Sequence, residues 1–169
     1  NIRIYLLIVY KNNQIYSYLY QDGKCIYTNK DYRYSINLEE NITSYNLDYQ
    51  IYKNNPLTLG DLEKYFKEHN QDYQLLFNNI TKNIQHLHQS YKNQLPENKF
   101  NNKINFQLFG LDYIICNNLD VLLLEINKGP SLAYINDTDY NLKYNLISDI
   151  FSLVGLTKKK SENLFLQIK

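Results

Sequence analysis

Three oxygen-bearing side chains, Asp112, Glu125 and Asn127, stand at the ends of two strand-like segments in the run INFQLFGLDYIICNNLDVLLLEINKGPSL at 104–132. Two carboxylates and a carboxamide form the all-oxygen donor set that a hard divalent cation such as Mg²⁺ takes. Two carboxylates brought together raise each other's pKa unless a cation compensates them. The bland alternative makes Glu125 the polar end of a buried strand and Asp112 a turn residue. Against it stands the abrupt change from Val121-Leu122-Leu123-Leu124 to Glu-Ile-Asn-Lys-Gly-Pro. That change puts polar groups where a buried strand meets the surface, a place where sites gather.

The elements around these residues follow from periodicity. The first arm alternates Phe106, Leu108 and Gly110 with Gln107, Phe109 and Leu111, as a strand does. The apolar run 121–124 reads as a strand covered on both faces, and Asn117-Asn118 as the turn between the arms. The arms run antiparallel, so Asp112 meets Glu125 and Asn127 only through sheet twist and slippage between them. Upstream, 2–10 and 14–20 read as strands joined by a turn at 11–13. Asp22-Gly23 reads as a second hairpin turn into a strand at 24–28, giving a three-stranded meander. Residues 29–55 read as a long loop, with strand character at 43–47. Thr58 as N-cap and Asp61 three residues on open a helix with the stripe Leu62, Tyr65, Phe66, ending near Asn70. A second helix covers about 72–95 with Leu76, Ile80, Ile84, Leu87 and Tyr91 inward, and Pro96 stops it. A third covers 142–154 with Leu142, Leu146, Ile150 and Leu153 inward. The predicted class is α+β, a mostly antiparallel sheet with packed helices.

Composition narrows the function classes. The 169 residues are 44% hydrophobic, enough for one domain that buries roughly 70% of its unfolded surface. Lys plus Arg total 18 and Asp plus Glu 17, a formal net charge of +1 that gives no electrostatic case for nucleic acid or an anionic membrane. The Lys158-Lys159-Lys160 run reads as a solvated helix flank. No apolar stretch approaches the roughly 20 residues of a membrane span. Cys25 and Cys116 match no metal spacing and read as free thiols of a reducing compartment. His86 and His88, two apart on a helix, face different ways and make no metal pair. The many Asn, Ile, Lys and Tyr residues have AT-rich codons, so the Asn content reflects base composition. Met is absent and a strand begins at once after Asn1, so the expectation is a partial domain whose N-terminal part is missing.

Four blocks in order, IRIYLLIV at 2–9, YLYQDGKCIYT at 18–28, FQLFGLDYIICNNLDVLLLEINKGPSL at 106–132 and DYNLKYNLISDIFSLVGL at 139–156, resemble the tubulin–tyrosine ligase-like ligases. PLTLGDLEKYF at 56–66 is similar to that family's connecting helix. The resemblance covers nearly the whole chain and the C-terminal part of the family domain. It implies an ATP-grasp-like C-terminal half and ATP- and Mg²⁺-dependent ligation: a carboxylate becomes an acyl phosphate, and an amine displaces phosphate to form an amide. It implies a free amino acid and a protein acceptor of tubulin type as partners, and a cytoplasmic, cytoskeleton-associated location.

By the same resemblance the metal ligands fall on Asp112, Glu125 and Asn127. Arg3 matches a strand Arg that could hold a phosphate or carboxylate bidentately; an ordinary strand-edge charge is the alternative. Lys143 matches a basic residue of the last helix, and Lys128 follows the metal block; each could neutralise anionic substrate or be a surface lysine. Thr43 and Ser44 match a nucleotide-contacting Thr-Asn pair. Three positions depart: Asn1 stands for an Asp, Ser44 for the Asn of that pair, and Ile26 for an Arg that holds the amino acid. Arg33 is the substitute guanidinium the chain offers. The departures keep open an inactive nucleotide- or protein-binding module of the same fold.

Overall fold

The computed structural model describes residues 1–12, 14–31, 33–92, 94, 104–158, 160 and 162–169. Among these residues five strands, β1 (Ile2–Lys11), β2 (Gln14–Cys25), β3 (Asn105–Ile115), β4 (Val121–Lys128) and β5 (Phe165–Ile168), form one antiparallel sheet in the order β4-β3-β1-β2-β5. The helices are α1 (Leu38–Asn41), α2 (Leu59–Glu68), α3 (Tyr73–Tyr91) and α4 (Asp137–Leu153), with a 3₁₀ turn at Tyr49–Lys53. The α+β class expected from the pattern is the class observed.

Both faces of the central strand β1 are covered, which is why its sequence is apolar throughout. Ile2, Ile4 and Leu6 pack with Leu59, Leu62 and Phe66 of α2 and Leu76, Ile80 and Ile84 of α3. Tyr5, Leu7 and Val9 point to the other side, against Leu142, Leu146 and Ile150 of α4. Each fully buried aliphatic side chain contributes about 1.5–3 kcal/mol of transfer free energy. These two layers hold the ends of β1, β2 and β3 in place around the site.

The helix starts are set by caps. Thr58 and Asp61 form a reciprocal capping box on α2, as their spacing predicts. Asp72 caps α3 through the Leu75 amide, and α3 runs to Tyr91; the expected stop at Pro96 lies outside the described residues. The α4 helix starts at Asp137 rather than Leu142, because the Asn136 side chain accepts from the Asp139 amide and so supplies an earlier start.

Three expectations about the strands fail. Asp22-Gly23 is not a hairpin turn: β2 passes straight through it, pairing Ile4 with Gly23 and Cys25 with Ile2. The carboxylate of Asp22 accepts from the amides of Gly23, Leu59 and Gly60 at 2.8, 3.0 and 3.3 Å, so it is spent on the start of α2. Gly23 is needed for close approach, since a Cβ there would sit 2.4 Å from the Arg3 carbonyl oxygen. The surplus residues are absorbed in an irregularity between Ile4 and Leu6, and the meander reduces to two long strands.

The segment 43–47 is turn rather than strand, with Ser44 and Asn46 at φ 64° and 46°. Lastly, β4 is not covered twice. Val121 and Leu123 pack on the α3 side, but Leu122 and Leu124 are 57% and 52% exposed, because β4 is the outermost strand and α4 does not extend over it. The two turns between neighbouring strands fall where expected, with Asn12 at φ 52° and Leu119 at φ 64°; Asn13 lies outside the described residues. Among the described residues no helix is long and apolar enough to cross a membrane.

Candidate functional site

A row of four charged residues crosses the sheet. Lys24 pairs with Arg3, Arg3 with Asp112, and Asp112 with Glu125, on β2, β1, β3 and β4 in turn. Directly opposed residues share a face of the sheet, here the α4 face. The convergence of Asp112 and Glu125 depends on a bulge. Tyr113 pairs with Leu123, and the register then shifts so that Asp112 pairs with Glu125. Without the extra residue the apolar Leu124 would oppose Asp112. The slippage that the hairpin required is this single inserted residue.

These four residues line a cavity of about 600 Å³. Thr43 and Ser44 reach it from the turn after α1, Tyr52 from the 3₁₀ turn and Lys143 from α4. Arg3 closes on Asp112 with Nε to Oδ1 and Nη2 to Oδ2, each 2.7 Å. Such a two-pronged, charge-assisted pair fixes both side chains, and the bond to Asp112 holds the Arg3 guanidinium pKa above its ordinary value. Asn127, two residues along β4, donates from Nδ2 to Glu125 Oε1 at 2.8 Å. Lys128, next along an extended strand, leaves from the opposite face. It lines a separate cavity of about 700 Å³ with Leu6, Ile8 and Ile126, so it is not part of the site cavity.

Sequence reasoning missed Lys24 and Asp139. Asp139 is fully buried in the first turn of α4, 2.7 Å from Lys24 Nζ and 3.0 Å from Lys143 Nζ. Lys143 also donates to the Ala133 carbonyl. Burial, then the positive charges of Lys24 and Arg3, hold the Lys143 pKa below its usual value, while Asp139 opposes this. The i, i+4 spacing of Asp139 and Lys143 is a signal that could have found the pair; nothing local signals Lys24. Tyr5, also on the cavity wall, is pushed up to about 12 by burial and stays a neutral hydroxyl at physiological pH.

Ile26 lines the cavity and is 7% exposed, offering an apolar wall where the resemblance has a guanidinium. Arg33 is exposed on the loop and is not among the lining residues. Away from the site, Cys25 and Cys116 are free thiols, and His88 Nδ1 is engaged by Ser17 Oγ at 2.9 Å.

Among the described residues, no group of three or more His, Cys, Asp and Glu is placed to hold a metal ion. The candidate set is two carboxylates and one carboxamide, and oxygen-only donors suit Mg²⁺ rather than a soft or imidazole-seeking metal. Both oxygens of Asp112 accept from Arg3, and each carboxylate oxygen retains a further acceptor site. The donor chemistry fits the ion.

Comparison with known proteins identifies relatives of this chain. A stretch of 50 residues is 46% identical to the tubulin polyglutamylase TTLL5 of Mus musculus, covering 30% of this chain and 4% of that protein. A longer one, 100 residues at 35% identity, matches the tubulin polyglutamylase ttll-5 of Caenorhabditis elegans, covering 57% of this chain and 14% of that protein. The probable beta-tubulin polyglutamylase of Tetrahymena thermophila is 33% identical over 79 residues, 47% of this chain and 6% of its own length. The chain thus spans only a small part of the relatives it matches. The model of the tubulin-tyrosine ligase family matches residues 1–163, taking in the whole charged row and α4, and this chain belongs to that family.

Proposed function

We propose that this chain carries the metal-binding half of an ATP-dependent ligase that joins a free amino acid to a protein carboxylate through an acyl phosphate. The single observation that carries the proposal is the bulge-dependent opposition of Asp112 and Glu125 beside Arg3. In this reading Asp112, Glu125 and the Asn127 carboxamide hold Mg²⁺, which when bound neutralises phosphate charge during phosphoryl transfer. Arg3, fixed by Asp112, presents a rigid cation to the anionic substrate, and Lys143 on α4 adds positive charge to the cavity wall without leaving Asp139. Thr43 and Ser44 bound the side on which nucleotide would enter. The relatives' names speak of tubulin polyglutamylation, which favours a protein carboxylate of tubulin type as acceptor and glutamate as the amino acid.

The test is Mg²⁺-dependent, amino-acid-dependent phosphate release from ATP by the full-length protein. Loss of this activity in both Asp112→Ala and Glu125→Ala supports the reading; undiminished turnover in both sinks it. A second reading, a nucleotide- or protein-binding module without turnover, is favoured by the apolar Ile26 on the cavity wall. It is the better one if calorimetry detects nucleotide binding and no amino acid stimulates phosphate release.

A further inference from the structure

Two lysines share one anion on a wall of the site cavity. The buried Asp139 carboxylate faces both Lys24 and Lys143, while the neighbouring Arg3 is matched by Asp112. One carboxylate against two ammonium groups leaves one positive charge in excess, in a place where burial makes an uncompensated charge costly. Lys143 is committed: its side chain is 8% exposed and divides its donors between Asp139 and the Ala133 carbonyl. Lys24 is the more open of the two, with 17% of its side chain exposed. It stands 5.9 Å from the centre of the Tyr52 ring and lines the cavity. An ammonium group has three donors, and Asp139 is the acceptor it meets here.

The position of Lys24 says which anion it meets. Glu125 and Lys24 are at opposite ends of the charged row, three strand spacings apart, roughly 14 Å. Phosphate oxygens gathered at the Glu125 end are thus three strand spacings from β2, and the cavity of about 600 Å³ that both residues line leaves Lys24 room to meet a second anion. Beside it the wall is apolar and aromatic, formed by Ile26 and Tyr52, suited to a small organic molecule rather than to a polyphosphate. We propose that Lys24 is a substrate-binding residue whose ammonium group receives the α-carboxylate of the free amino acid. Asp139 holds that ammonium in position, and Lys143 adds to the local positive charge. The assignment rests on the ligase reading for the identity of the small molecule, but its binding test does not need turnover.

The experiment is calorimetric titration of the protein with L-glutamate, glycine, glycinamide and inorganic phosphate, repeated with Lys24→Met and Lys24→Arg. Expected are binding of glutamate and glycine, no binding of glycinamide, about tenfold weaker binding in Lys24→Met for the lost charge-assisted bond, and recovery in Lys24→Arg. Wild-type affinity in a folded Lys24→Met overturns the proposal, as does equal binding of glycinamide, failure of both amino acids to bind, or phosphate displacing glutamate at equal concentration. Should Lys24→Met fail to fold, ¹⁵N-lysine spectra of the wild-type protein decide: the Lys24 Nζ signal moves with glutamate, or the proposal falls. Turnover separates the two readings. An unchanged KM for the amino acid in an active, folded Lys24→Met removes Lys24 and leaves the ligase standing. Glutamate bound at Lys24 without any ATP turnover does the reverse.

Discussion

Arg3 and Asp112 face each other across β1 and β3 and close a two-pronged ion pair, both contacts at 2.7 Å, with side chains only 24% and 13% exposed. The pair ties the central strand to the hairpin that carries Glu125 and Asn127. Arg3→Met leaves the Asp112 carboxylate largely buried with its main donor gone, and the expected cost is about 1–3 kcal/mol in urea unfolding. Arg3→Lys recovers only part of this, because an ammonium cannot reproduce the fork. Equal stability of Arg3→Met and wild type would contradict a structural role for the pair.

Glu125 offers the contrasting case. It is exposed, with Asn127 as its hydrogen-bonding partner, so Glu125→Ala is expected to alter stability by less than about 0.5 kcal/mol. Mn²⁺ binding, followed by electron paramagnetic resonance as a stand-in for Mg²⁺, is expected to weaken sharply in the same variant. Asp112→Ala is expected to lose both stability and metal affinity, since it also frees Arg3.

Asp139 is fully buried between Lys24 and Lys143. Asp139→Asn keeps the shape and leaves two ammonium groups without a counter-charge. The expected loss is about 3–5 kcal/mol, read as a drop in the unfolding midpoint. A neutral outcome would show that water solvates both lysines in place.

Gly23→Ala directs a methyl group at the Arg3 carbonyl oxygen, 2.4 Å from the ideal Cβ position. Backbone rather than a flexible side chain is in the way, so β1 and β2 must separate. A cost of about 1–3 kcal/mol is expected, measurable by thermal unfolding. An alanine tolerated at wild-type stability would mean that the strands part without resistance.

His88 predicts a pH effect. Burial, then the charge of Lys92, hold its pKa below the ordinary histidine value, so the folded state disfavours the proton that the unfolded chain accepts. Stability from this group is present above the unfolded value near 6.5 and is lost as pH falls through it towards the lower folded value. The unfolding midpoint is expected to fall between pH 7.5 and 5.5, and His88→Gln, which keeps a partner for Ser17, is expected to reduce that dependence. An unchanged pH dependence in His88→Gln would assign the effect elsewhere.

Much was legible in the chain before any fold was in view, because caps and apolar stripes act within one or two turns. Thr58 with Asp61, the stripe Leu76-Ile80-Ile84 and the hairpin around 117–119 all form where local chemistry places them. The donors Asp112, Glu125 and Asn127 were legible as types because hard oxygen at a strand end is a local statement. What only the tertiary structure decided is which side chains meet. Asp22-Gly23 has the composition of a hairpin turn, yet the start of α2 claims the Asp22 carboxylate and β2 runs on. The same continuation carries Lys24 into line with Arg3 and sets it against Asp139, 115 residues away. One inserted residue, Leu124, puts Glu125 rather than a leucine opposite Asp112. In a sheet, side chains alternate in direction at every residue, so a single shift of register decides the membership of a site, and that shift is set by packing across the whole sheet.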